Sequence, residues 1–253
     1  MIVTFLGTGT SQGVPVIACH CPVCRSIDYR DKRLRSSIHI AVDDQSFVID
    51  TGPDFRTQML RERIKHIDAI IYTHEHKDHT AGMDDVRSFN FAQKIDMPIY
   101  ADERVIHQLE KEFSYVFEEE KYPGVPRVNV NFITNSPFEI NGVKITPIEV
   151  LHYKLPVFGF RIKDFTYITD ANYISPSELE KIKGSKILVL NALQKKEHIS
   201  HFTLEQAIEI ANIVQAEQTY FTHISHSLGK HREVEKELPS NCQLGFDGLK
   251  IHI

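Results

Sequence analysis

Residues 74–79, within the stretch THEHKDH, hold four metal-ligating side chains: His74, His76, Asp78 and His79. Nitrogen and oxygen donors at this density suit zinc, manganese or iron. His74 and His76 alternate as on an extended segment, so both point the same way. Asp78 and His79 are adjacent, and regular structure does not aim both at the same point. The spacing therefore favours two metals, the first pair on one and the second pair on the other. A solvated loop rich in histidine is the competing reading, but four donors in six residues directly after an apolar run is a specific signal.

Two metals need more ligands. His152, Asp170 and His223 each follow an apolar, β-branched run (142–150, 165–169 and 218–222). Singly, a histidine or aspartate after a strand is more often a surface or hydrogen-bonded residue. Their shared placement at strand C-termini would bring them to one rim, where loops carry chemistry. The stretch FTHISHSLG, 221–229, adds a second histidine, His226, three residues after His223.

A softer set lies near the N-terminus. Cys19, Cys21 and Cys24 fall in the stretch CHCPVC. Disulfides between such close neighbours would close strained rings. A redox pair of Cys21 and Cys24 would leave the third thiol unused and lacks the helix pattern that follows such pairs. Three thiolates favour zinc, and a closed structural site needs a fourth ligand. On chemistry alone His20, His226 and Cys242 are all candidates, although His20 is wedged between two ligands.

The elements that must position these groups read as strand blocks in both halves. Strands are expected at 2–7, 37–42, 46–50, 68–73, 97–101, 128–133, 142–150, 157–162, 165–169, 186–192, 218–222 and 249–253. Helices are expected at 55–64, 102–113, 175–184 and 203–215, the last capped by Thr203. Two sheets packed face to face with helices outside satisfy this order, and periodicity alone also allows a doubly wound sheet. GTGTSQG, 7–13, is followed by cysteines rather than a helix, so it reads as a tight turn that lets backbone approach the site. Asp84, Asp85 and Arg87 read as helix-start chemistry, with no chemical step assigned. The segment 110–128 reads as a helix end packed on the core; a lid, or the contact of a homodimer, is the other reading.

Bulk composition narrows the function. The chain has 253 residues, 42% hydrophobic and 25% charged, which is ordinary for a globular protein able to bury a large core. Its net charge of −5 implies no broad basic face, which disfavours extended nucleic-acid binding. No run of 18 apolar residues is present, so no membrane span is expected. The N-terminus lacks a basic and a long apolar region, and a cytoplasmic location is the expectation.

THEHKDH matches the H-x-H-x-D-H motif of the metallo-β-lactamase-fold hydrolases, and the later histidine, aspartate and histidine follow in that superfamily's order. More narrowly, FLGTGTSQGVP (5–15), CHCPVC (19–24), GMDDVR (82–87) and FTHISH (221–226) resemble the phosphoribosyl 1,2-cyclic phosphate phosphodiesterases of the carbon–phosphorus lyase pathway. The resemblance runs from residue 2 to about 230. It implies an α/β fold, a four-layer αββα sandwich, as one domain over 1–253. It implies that His74, His76 and His152 hold one metal, and Asp78, His79 and His223 the other, with Asp170 bridging. A bridging hydroxide would be the nucleophile, which places Asp78 among the catalytic as well as the metal residues. Mn²⁺ or Zn²⁺ would occupy this dinuclear centre. The fourth ligand of the structural zinc would be His226, beside Cys19, Cys21 and Cys24.

Phosphodiester hydrolysis expels an alkoxide that needs a proton. The stretch EHISHFT, 197–203, offers His198 and His201, and the family pattern matches His201. The resemblance thus implies a phosphodiesterase acting on a small cyclic sugar phosphate. The rivals share the fold: a nuclease like ribonuclease Z, a thioester or lactone hydrolase, and a pyrroloquinoline quinone biosynthesis protein.

Overall fold

The computed structural model describes residues 1–120 and 122–253. Strands β1 (Ile2–Gly7), β2 (Ser37–Val42), β3 (Gln45–Ile49), β4 (Ala69–Ile71), β5 (Met97–Ala101), β6 (Val128–Phe132) and β15 (Lys250–His252) form one sheet, in the order β15-β1-β2-β3-β4-β5-β6. The second sheet holds β7 (Phe138–Ile140), β8 (Val143–His152), β9 (Leu155–Ile162), β10 (Phe165–Ile168), β11 (Tyr173–Ile174), β12 (Ile187–Asn191), β13 (Gln218–Thr222) and β14 (Cys242–Leu244). Its order is β11-β8-β9-β10-β12-β13-β14, with β7 paired to β8.

Both sheets repeat one plan. An antiparallel meander (β1-β2-β3, β8-β9-β10) is followed by three parallel pairings (β3-β4-β5-β6, β10-β12-β13-β14). The parallel pairings need crossovers, and helices supply them. The repeat is topological only; no repeat is visible in the sequence.

Val3, Phe5, Ile38, Ile40, Phe47 and Ile49 of the first sheet meet Phe158, Phe160, Phe165, Tyr167 and Val189 of the second in the inter-sheet core. The strand β8 is buried on both faces: Val143 and Ile145 point into this inter-sheet core, whereas Ile148 and Val150 point to the helix-covered face. Helices α1 (Phe55–Glu62), α3 (Arg87–Gln93) and α4 (Glu103–Glu112) cover the outer face of the first sheet, through Phe55, Met59, Phe89, Val105 and Leu109. Helices α6 (Pro176–Ile182) and α7 (Leu204–Val214) cover the second. On α7, Leu204, Ala207, Ala211 and Val214 share one buried stripe, and Thr203 with Gln206 closes a capping box. The layers are therefore αββα, as expected.

Differences from the expectation are local. Helix α3 stood outside the sequence reading because RSFNFAQ buries only Phe89 and Asn90 and shows no apolar stripe. Three one-turn helices, α2 (Lys77–Thr80), α5 (Ser114–Phe117) and α8 (His231–Val234), are too short for periodicity to register. Asp84 and Asp85 lie in a 3₁₀ turn, Met83–Val86, just before α3, in keeping with helix-start chemistry. Asp84 also accepts a hydrogen bond from the Tyr115 hydroxyl at 2.7 Å. Val116 of α5 is fully buried, so this part of 110–128 packs on the core; Lys121 lies outside the described residues. No helix among the described residues is long and apolar enough to cross a membrane.

Candidate metal centre

The meander ends and parallel-strand ends of both sheets open onto one rim, and the ligand-type residues collect there. Three leave their strands through left-handed backbone: Asp50 after β3 at φ 66°, Asp170 after β10 at φ 57° and His223 after β13 at φ 54°. Asp and His are among the non-glycine residues that tolerate this region. The sharp bend takes each side chain off its strand and into the rim. Such conformations concentrate at functional sites. Asp50 and Asp170 occupy equivalent places in the two repeats.

Donor atoms of Asp78, His79, Asp170 and His223 lie within 4.8 Å of one another, all four residues buried. His79 Nε2 is 3.2 Å from Asp78 Oδ2 and 3.1 Å from Asp170 Oδ2. Asp170 Oδ2 is also 3.1 Å from His223 Nδ1. Asp78 and His79 do converge, contrary to the expectation for adjacent residues. They sit on the single turn α2, where side chains of different length close the angular gap. His74 Nε2 lies 3.1 Å from His76 Nδ1, so that pair shares a focus as expected. The His76 and His152 rings are 5.0 Å apart, centroid to centroid. His152, Asp170 and His201 form a further group of donor atoms within 4.8 Å. Asp170 belongs to both groups and lies between them. His198 is outside them, on an exposed stretch, although its ring centroid is 5.1 Å from that of His201.

The chemistry of this donor set fits a divalent cation. His79 Nδ1 donates to Asp50 Oδ2 at 2.7 Å. Its Nε2 is buried, makes no hydrogen bond, and faces two carboxylate oxygens. A lone pair there would be repelled, so a positive charge must sit at that point. Burial opposes the charge on His79, but Asp78, Asp170 and Asp50 outweigh it and push its pKa well above the ordinary value. Burial likewise opposes ionisation of Asp170, but His223 and His79 outweigh it and hold its carboxyl well below the usual range. Burial pushes the pKa of His74, His76 and His223 below the ordinary value, which favours the neutral imidazole. Neutral imidazoles and ionised carboxylates are the metal-binding forms.

Outside the donors, one residue absent from the sequence reading does most of the orienting. Asp50 is fully buried and accepts from the Thr73 N–H, from the Thr73 hydroxyl and from His79 Nδ1, at 2.7–2.8 Å. With its proton committed to Asp50, the Thr73 hydroxyl accepts from His74 Nδ1 at 2.9 Å, which turns the His74 Nε2 lone pair inward. Asp50 thereby sets one histidine of each pair. The signal was available: Asp50 follows a strand as Asp170 does. His152 Nδ1 donates to the Ser200 carbonyl at 2.9 Å, which frees its Nε2 for the centre. Glu75, between His74 and His76, turns away and binds Arg104, which also reaches Asp102 and the Pro156 carbonyl. That clamp ties the histidine loop to the hairpin carrying His152. The glycine-rich turn approaches the site as expected: Thr10 Oγ1 is 3.2 Å from His223 Nε2, and Gly9 bridges both Arg35 and Ile224. Partners outside the ligands typically tune metal affinity 10–100-fold. Asp50→Asn should therefore weaken metal binding at the histidine–aspartate centre by about 10–100-fold, measured by competition with a chelating dye, while the cysteine cluster keeps its metal.

The cysteine cluster resolves the open fourth position. His226 Nδ1 lies 3.2, 3.6 and 3.4 Å from the Sγ atoms of Cys19, Cys21 and Cys24. Zinc at ordinary bond lengths puts tetrahedral S and N donors about 3.5 Å apart, so these four residues fit it. The Cys24 N–H, foremost, holds the Cys21 thiol down at about 6, whereas burial pushes Cys24 up to about 11. Cys242 is buried in the helix-facing core of the second sheet, and His20 is exposed. Ile224 exchanges backbone hydrogen bonds with Thr8 and Thr10, so the loop between His223 and His226 is sewn to the N-terminal turn.

A family model described as the β-lactamase superfamily domain matches residues 45–224. The crystal structure of a new diphosphatase from the PhnP family is 41% identical, with a TM-score of 0.93 and coverage of 100% of this chain and 97% of that one. Zinc-bound PqqB from Methylobacterium extorquens shares the fold at 18% identity and TM-score 0.81, each chain covered 100%. A Porphyromonas gingivalis protein named octanoyltransferase is 37% identical over 251 residues, 98% of this chain and 51% of that protein. The chain spans about half the length of the curated relatives it matches.

Proposed function

Because this chain belongs to the metallo-β-lactamase superfamily, we propose that it is a dinuclear metal-dependent phosphodiesterase acting on a small cyclic sugar phosphate. The observation that carries this reading is the position of Asp170, shared between two groups of donor atoms. His74, His76 and His152 would hold one ion; Asp78, His79 and His223 the other; and Asp170 both. Cys19, Cys21, Cys24 and His226 would hold a structural zinc. Nitrogen and oxygen donors do not choose sharply between Mn²⁺ and Zn²⁺ at the dinuclear centre, whereas the thiolates select zinc. When bound, two such ions supply Lewis acidity toward phosphoryl oxygens and an activated water.

The chain's own residues do the rest. His201 is buried, its Nδ1 without a hydrogen-bond partner and 3.8 Å from Asp170 Oδ1. It is the group that delivers a proton to the leaving oxygen. Burial pushes His201 down to about 3, so in the bare chain it is neutral. An anionic phosphate seated beside it would favour the imidazolium, against the opposing charge of the bound cations. The Ser200 carbonyl, held by His152, fixes the stretch that carries it.

A second reading within phosphorus chemistry comes from the similar structure called a diphosphatase, 41% identical over the whole chain. Cleavage of a P–O–P linkage uses the same attack at phosphorus with a less demanding leaving group. A panel separates these and the rivals: cyclic ribose phosphates, diphosphate diesters, nitrophenyl phosphodiesters, precursor tRNA, lactones and acyl thioesters, each with metal-loaded protein. Fastest turnover of a thioester, a lactone or tRNA would overturn the reading.

Metal content tests the two-site arrangement separately. His226→Ala should lose the structural zinc and keep the dinuclear centre loaded; His223→Ala should do the reverse. Loss of the same metal from both variants would show that the two histidines serve one site.

A further inference from the structure

Beside the metal centre lies a hollow of about 520 Å³, a size that suits a small organic ligand. His76 and His152 line it together with Tyr153, Lys154 and Ile199. Tyr153 is 49% and Ile199 67% exposed, although both are large and apolar. Asn172 ties the two walls together, accepting from the Tyr153 N–H at 2.7 Å and donating to the Ile199 carbonyl at 3.3 Å.

Tyr153 is also in the wrong conformation for its size. It and Lys154 form the two-residue connection between His152 and Leu155, which pair across the hairpin. Tyr153 holds φ 59° at the first of the two positions, where glycine is the ordinary choice when only that residue has positive φ. A bulky aromatic there is an outlier, and such outliers persist where the side chain has a use. Among the described residues, Tyr153 makes no hydrogen bond through its hydroxyl. Its side chain is half exposed, and the Lys154 ammonium is 5.3 Å from the ring centroid.

We propose that Tyr153 and Lys154, at the tip of the β8–β9 hairpin, form a substrate subsite that stacks a flat heterocyclic ring and pairs with an anionic group of the same molecule. The substrate class is then nucleotide-like. This rests on reading the neighbouring centre as a phosphoester hydrolase. A ring stacked on Tyr153 has its attached sugar phosphate one residue from His152, which faces the centre.

The test compares two substrates with the same reacting linkage, adenosine 2′,3′-cyclic phosphate and the methyl riboside 2,3-cyclic phosphate. Stacking one base on an aromatic side chain corresponds to roughly a 5- to 150-fold gain in affinity. The metal-loaded protein should show a KM lower by about that factor for the adenosine substrate. Tyr153→Gly should bring the KM ratio toward one while raising Tm, since glycine fits the backbone better; Tyr153→Phe should preserve the ratio. A ratio of one in the unmodified protein, or a ratio untouched by Tyr153→Gly, overturns the subsite. Calorimetry with adenosine 3′-phosphate and methyl riboside 3-phosphate covers the case of no turnover. Preference for the adenosine probe, lost in Tyr153→Gly, would uphold the subsite and count only against the hydrolase reading. Equal binding of both probes would reject the subsite itself. Lys154→Gln should weaken binding of adenosine 3′-phosphate more than that of adenosine; an equal effect on both removes the anionic half of the proposal.

Discussion

Asp170→Asn is expected to lower turnover by at least ~10²-fold and to leave one of the two proposed metals labile, because losing a partner that merely orients a ligand already costs up to about that much. Asp170 is 2% exposed, and its Oδ2 lies 3.1 Å from both His79 Nε2 and His223 Nδ1. Its Oδ1 faces His201 Nδ1 at 3.8 Å. The amide keeps the shape but removes the negative charge that offsets two dications, and it places N–H donors against histidine nitrogens. The measurement is metal content after gel filtration, alongside kcat on the best substrate of the panel. Wild-type metal content together with a wild-type rate would show that Asp170 bridges nothing. Loss of the cysteine-bound zinc as well would instead indicate a general failure to fold.

His201→Ala is expected to slow cleavage of a cyclic sugar phosphate by about 10²–10⁴-fold, the usual contribution of a positioned acid. The loss should depend on the leaving group. A sugar alkoxide is strongly basic and departs with difficulty unless protonated, whereas a nitrophenolate departs readily as the anion. A nitrophenyl diester should therefore lose far less, with metal content unchanged. His201→Gln, which keeps a polar side chain but cannot deliver the proton, should resemble the alanine variant. An equal loss on both substrates would reassign His201 to phosphate binding or to local structure, and the acid would then be His198 or a metal-bound water. The orphaned Nδ1 of His201 and its stacking 4.8 Å from His223 already place it within the centre rather than at the α7 cap. That cap is satisfied by Thr203 and Gln206 without it.

His74, His152, Asp170 and His223 were legible as candidates because each sits where a strand pattern stops. An apolar run marks a strand by its side chains alone, and the polar residue after it marks the end without knowledge of any partner. Asp50 was equally placed, after SFVI, yet it passed unnoticed. Its role depends on a bond to His79, 29 residues away, which no local pattern reports. Helix α3 was hidden for a related reason: Asn90 fills its buried face by bonding to backbone at Ile95 and Arg127, so tertiary hydrogen bonds replace the apolar periodicity.

The amino-acid sequence by itself determined the two blocks of strands with their helices, the soft and hard donor groups, and the strand ends beside the hard ones. All of these follow from local side-chain chemistry and from periodicities of two and 3.6. Only the tertiary structure decided which donors meet. It brought His226 to three cysteines 202 to 207 positions earlier, excluded Cys242 by burying it in a helix-facing core, and let the adjacent Asp78 and His79 converge on one turn of helix. It also decided the doubled sheet plan that sets Asp50 opposite Asp170. The reason is physical: strand order and crossover handedness arise from burying two sheet faces against each other, and that energy belongs to pairs of distant residues rather than to any one stretch of chain.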